Sequence, residues 1–147
     1  MPVLVNIPID EIVGFDNQDE FKTWFEYWLK ILAKEILRQN SNNEKIHPGY
    51  KWGHSTKILI LYIRELVINT RYFPDATVNR ISGLLYVPID SIVINRLKDL
   101  GYHLPFLKIK EIDTAIKFYS VQDLLGKEAT SIGVPRIWFD DNWGDRQ

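Results

Sequence analysis

The chain has no cysteine, so disulfides, thiolate zinc sites, iron–sulfur clusters and cysteine nucleophiles are all excluded. Histidine is scarce too. His47, His54 and His103 are the only three, and none stands at i, i+4 from another or beside a suitable carboxylate run, so no metal site is expected. A phosphate-cradling glycine loop, a dinucleotide fingerprint and an ordered Ser–His–Asp set are absent, and no cofactor is expected. Long apolar runs are missing as well. The longest stretch, Ile58 to Ile68, is broken by Arg64 and Glu65 and falls far short of a membrane span. The opening Met1-Pro2-Val3-Leu4-Val5-Asn6 has no basic n-region. The expectation is a soluble cytoplasmic protein with no membrane partner.

What is present describes an ordinary globular chain. A length of 147 residues with 46% apolar and 25% charged content fits one domain spanning 1–147. Such a domain buries roughly two-thirds of its unfolded surface and needs no staple. The net charge is only −1, but it is unevenly spread. Residues 45–110 carry ten Lys or Arg against four Asp or Glu, a net of +6. The flanks are acidic: four against eight in residues 1–44, and four against seven in residues 111–147. A basic middle between acidic flanks is compatible with one cationic face, the electrostatic footprint of a nucleic-acid binder.

The periodicity predicts an all-α fold of about six helices. Asn17 with Glu20 forms a capping-box pattern, opening a helix to about Gln39 with Phe21, Trp24, Phe25, Trp28, Leu29, Leu32 and Ile36 on one face. Ser55 reads as the N-cap of a second helix, Thr56 to about Arg71, which is apolar on nearly every side and so belongs in the middle of the domain. Asp75 caps a short helix ending near Gly83. The residue before Pro88 is held extended, and a helix from Ile89 or Asp90 to Leu100 closes at Gly101. Two further helices are expected, Lys110 to Tyr119 and Val121 to Ile132, the second capped by Ser120 and closed by Gly133. Only Val3-Leu4-Val5 suggests a strand.

Two segments carry candidate chemistry: Trp52-Gly53-His54-Ser55-Thr56-Lys57, and Val87-Pro88-Ile89-Asp90, which places an aspartate 33 residues after the lysine. A lysine amine can form a Schiff base with a sugar aldehyde, and a carboxylate can stabilise a cationic sugar. A third segment, Ala129-Thr130-Ser131-Ile132-Gly133-Val134-Pro135 followed by Asp140 and Trp143, completes the set. In this order the three segments resemble the helix–hairpin–helix DNA glycosylase superfamily, and most nearly its archaeal branch that removes 8-oxoguanine. The resemblance covers roughly residues 52–147. Ser55 stands where the family has a second hairpin glycine, Pro135-Arg136 where it has Pro-Pro, and the N-terminal half is short for such an enzyme.

The resemblance implies a compact bundle with a helix–hairpin–helix element, acting on double-stranded DNA that carries a damaged base. In that reading Asp90 stabilises positive charge on the deoxyribose. Lys57 attacks the anomeric carbon as a neutral amine, which requires burial or the positive end of its own helix. Lys51, Trp52, Gly53, His54, Ser55 and Thr56 would grip the DNA backbone together with Tyr50. Asp140 would read the base, while Trp138, Phe139 and Trp143 either stack on it or close the core. Two functions stay open: a glycosylase/AP lyase for oxidised purine, and a helix–hairpin–helix module that binds DNA without cutting it. A helical interaction protein with no nucleic-acid partner leaves the basic middle unexplained.

Overall fold

The computed structural model describes residues 2–39 and 48–142. Its α-helices are α1 (Pro2–Val5), α2 (Gln18–Gln39), α3 (Thr56–Arg64), α4 (Asp75–Ser82), α5 (Ser91–Asp99), α6 (Ala115–Ile132) and α7 (Trp138–Asn142). Short 3-10 segments lie at Ile9–Gly14 and Ile109–Glu111, and π-helical segments at Tyr50–Ser55 and Glu65–Asn69 flank α3. The fold is all-α, with no strand among the described residues. Val3-Leu4-Val5, expected to be extended, is part of α1 and packs on α2. With no strand among the described residues to accept its backbone bonds, the Val3-Leu4-Val5 segment satisfies them locally instead.

The start of α2 follows the expected capping box. The Glu20 N–H donates to Asn17 Oδ1 at 3.0 Å, and the Glu20 carboxylate accepts from the Asp16 N–H and the Asn17 amide, both at 3.2 Å. The helix buries Phe21, Trp24, Phe25, Leu29, Leu32 and Ala33. Phe25 stacks on Phe118 of α6 with centroids 6.0 Å apart and meets Tyr86 edge-on at 4.9 Å. This aromatic knot joins α2, α6 and the segment before α5. Cutting Phe25 back to alanine would cost roughly 3–5 kcal/mol.

The helix expected from Thr56 to Arg71 has a different build. Its α-helical part ends at Arg64, and a π turn carries the chain to Asn69. Its beginning differs too. Ser55 has helical angles (φ −67°, ψ −39°) and its hydroxyl donates to the Tyr50 carbonyl, so it is not an N-cap. The segment Trp52-Gly53-His54-Ser55 is a π turn continuous with α3, not a hairpin loop. Asp75 is likewise the first residue of α4 rather than its cap, with Pro74 before it.

The two helices expected between Lys110 and Ile132 are one. α6 runs unbroken from its N-cap Thr114, whose hydroxyl accepts from the Lys117 N–H at 3.2 Å. Ser120 lies inside it, its hydroxyl donating to the Ile116 carbonyl at 2.6 Å. Serine can back-bond to the preceding turn as readily as it caps, which is why a cap was expected there. Gly133 closes α6 in the left-handed region (φ 73°), and Gly101 follows α5 in the same way (φ 94°), both as expected.

Residues 85–89 form a buried, helix-free run leading into α5. A fully buried amide replaces the missing strand partner: Gln122 of α6 accepts from the Val87 N–H at 2.9 Å and donates to the Val87 carbonyl at 2.8 Å. Arg136 ties the same run from the other side. It donates to the Leu85 carbonyl at 3.3 Å and to Gln18 at 3.3 Å, with its guanidinium 4.9 Å over the Tyr86 ring. Burial pulls the Arg136 pKa below its ordinary value.

A cationic groove at the start of α5

Four pieces of chain border a groove of about 490 Å³: His54 from the π turn, Lys57 from α3, Asp90 and Ser91 at the start of α5, and residues 107–110. Lys57 and Asp90, joined at first only by sequence order, therefore line one groove. Lys108 and Lys110 line it as well, giving three lysines and a histidine against a single carboxylate. Lys57, His54 and Asp90 are half-buried, whereas Lys108 and Lys110 are exposed.

Asp90 has a structural task in addition to any chemical one. It is the N-cap of α5, extended at φ −135°, with Oδ1 accepting from the Val93 N–H at 3.0 Å. The preceding Val87-Pro88-Ile89 is clamped by Gln122, so the carboxylate is delivered to the groove by a fixed segment. The setting of Lys57 differs from the expected one. Helical structure begins at Tyr50, not at Thr56, so the positive end of the helix lies more than a turn away from Lys57. A helix-end field fades within its first turn.

The other expected backbone contacts divide sharply. Thr56 is buried, and its hydroxyl donates to the Trp52 and Gly53 carbonyls at 2.7 and 2.8 Å. Ser55 and Gly53 are buried too. Trp52 turns inward against Phe118 and Tyr119, at centroid distances of 5.9 and 5.8 Å. Lys51 covers it, its amine 5.3 Å from the Trp52 ring. Tyr50 is half-buried. Of the group, only His54 lines the groove.

The proposed base readers are elsewhere. Asp140 is fully buried in an ion pair with Arg64 of α3, Nε to Oδ2 at 2.7 Å. Phe139 is 2% exposed and belongs to the core, while Trp138 is partly exposed and packs edge-on to it at 5.4 Å. Trp143 lies outside the described residues. Asp140 and Phe139 thus hold α7 onto the domain, and a burial this complete leaves neither a face for an extrahelical base.

The groove also contains residues the sequence reading passed over: Ser91, Leu107, Lys108, Ile109 and Lys110. The available signal was the pair of lysines two apart at the end of the basic middle. Among the described residues no cluster of His, Asp or Glu could hold a metal ion, and no helix is long and apolar enough to cross a membrane. Compared with family models, with curated proteins and with solved structures, the chain finds no match, so the glycosylase resemblance rests on its own residues alone.

Proposed function

We propose that the groove holds a DNA strand by its phosphates, with Lys57, Lys108 and Lys110 as the cationic contacts. The observation that supports this is their convergence: three lysines from two distant segments of the basic middle line one open groove. A strand neutralised by three lysines releases counterions. The logarithm of its binding constant should then fall with the logarithm of salt concentration at a slope of about −2.7 for duplex DNA. Fluorescence anisotropy on a labelled duplex across a salt series measures this. Lys108→Gln and Lys110→Gln should each flatten the slope by about 0.9. Absence of binding, or binding indifferent to all three lysines, refutes the proposal.

A second reading adds a reaction, and the shared groove of Lys57 and Asp90 favours it. At an abasic site the Lys57 amine would add to the C1′ aldehyde and lose water, forming an imine. Loss of a 2′ proton to solvent water would then form the C2′–C3′ double bond and expel the 3′ phosphate by elimination. Asp90 would stabilise the cationic imine electrostatically. Excision of 8-oxoguanine requires a base pocket as well, and Asp140 and Phe139 are committed to the interior. Support therefore extends to the lyase step and not to base removal. Borohydride trapping on an abasic duplex, with an 8-oxoguanine duplex and an undamaged one beside it, separates the readings. A covalent adduct lost in Lys57→Gln marks a lyase, and binding without an adduct marks a non-catalytic module.

A further inference from the structure

Gly49 and Gly53 are buried, four residues apart, against the backbone of Ile109 and Lys110. Neither needs to be glycine for conformational reasons. Gly49 has φ −87° and ψ 17°, and the only described glycines with positive φ are Gly101 and Gly133. What both need is space. A Cβ on Gly49 would stand 2.5 Å from the Lys110 carbonyl oxygen and 2.7 Å from its Cα. A Cβ on Gly53 would fall closer still to the Ile109 carbonyl oxygen. Ordinary carbon–oxygen contacts begin near 3.3 Å, so a methyl at either position displaces the opposing backbone by roughly 1 Å.

The far end of that backbone is tied down as well. The Leu107 N–H donates to the Glu111 carboxylate at 3.0 Å, and the Lys117 amine donates to the Glu111 carbonyl at 3.3 Å. The 107–111 turn is therefore a wall seated on two glycines and pinned through Glu111, with Lys108 and Lys110 projecting from it. We infer that Gly49 and Gly53 are positioning residues of the groove, setting Lys108 and Lys110 where they share a strand with Lys57. This rests on the strand-binding reading and assigns it a determinant that touches no ligand.

The test is a cycle on the whole chain with a labelled duplex. Gly53→Ala should flatten the salt slope from about −2.7 to about −0.9, the value left when only Lys57 contributes. Adding Gly53→Ala to the Lys108→Gln/Lys110→Gln double variant should then change affinity by less than about twofold, because coupled sites do not add. A change in packing alone would weaken every background equally. Glu111→Ala, which removes the acceptor of the Leu107 N–H without overfilling the wall, should flatten the salt slope in the same direction and serves if Gly53→Ala does not fold. A folded Gly53→Ala with the wild-type slope overturns the inference, as does an effect additive with the lysine changes. So does a folded Glu111→Ala with the wild-type slope. Failure of the unmodified chain to bind any duplex is a different result, and sinks the strand-binding reading itself.

Discussion

Replacing Gln122 with leucine tests the clamp that delivers Asp90 to the groove. Leucine keeps most of the volume and removes both polar partners of Val87 at once. Val87 is fully buried, so its N–H and carbonyl, now bonded at 2.9 and 2.8 Å, would have no water to turn to. Stranding a buried polar group costs about 1–3 kcal/mol, and the two together about 2–6 kcal/mol. A domain of this size has a total stability of roughly 5–15 kcal/mol, so the loss is a large share. At about 3 °C per kcal/mol the melting temperature should fall by roughly 6–18 °C. Urea titration gives the free energy directly, and amide exchange reports the site: the Val87 N–H should lose protection before its neighbours on α6. A Gln122→Leu protein within 1 kcal/mol of wild type, with Val87 still protected, would refute the clamp.

Other perturbations follow from single contacts. Arg64→Met leaves the Asp140 carboxylate buried without its cation and should cost about 3–5 kcal/mol by urea titration, most of it recovered in Arg64→Met/Asp140→Leu. Loss of less than 1 kcal/mol would mean that the pair does not hold α7. Ser120→Ala should be neutral or slightly stabilising, because the residue is inside α6; a loss near 1 kcal/mol would restore Ser120 as a cap. Burial, then the hydrogen bond to Glu26, raises the Tyr119 phenol above its usual 10.0, and burial raises Tyr86 likewise. Since the neutral phenols belong to the folded state, their contribution is whole below about pH 10 and shrinks above it, where the unfolded chain ionises. Urea midpoints should therefore hold to about pH 10 and then decline, less steeply in Tyr119→Phe; equal slopes would remove Tyr119 from the account.

The parts of the fold that could be read from sequence are those fixed by short-range chemistry. The box of Asn17 and Glu20, the apolar face of α2 and the closing glycines 101 and 133 all act within a few residues, and all stand where the pattern put them, while α5 opens at Ser91 with Asp90 as its cap. The misreadings share a cause. Ser55 and Ser120 each precede an apolar run and resemble caps, but a serine hydroxyl can equally bond the carbonyl a turn earlier, and sequence does not distinguish the two. The π turn at 50–55 was invisible for another reason. It is a local widening of the helix where Gly49 and Gly53 meet Ile109 and Lys110, and those contacts span some sixty residues of chain.

The site follows the same division, and the division decides which chemistry the molecule can support. Lys57 and Asp90 are paired in the sequence only by the order of their two segments, and the packing of α3 beside the start of α5 brings both to one groove. The reading of Asp140 as a base contact rests on the family resemblance alone; its partner Arg64 is 76 residues away and no local pattern joins them. Buried and paired on the inner side of α7, that carboxylate cannot also read a base without leaving a guanidinium stranded. The lysines at 108 and 110 reverse the case: unremarked as a motif, they reach the groove because a long-range backbone contact places their turn there. The cationic wall and the amine–carboxylate pair are thus both tertiary products, and only the helix cap at Asp90 is local. A strand can be held by the first without the second ever reacting. Hence binding and trapping must be measured separately, and the salt slope, which counts lysines, comes before the borohydride adduct, which tests only Lys57.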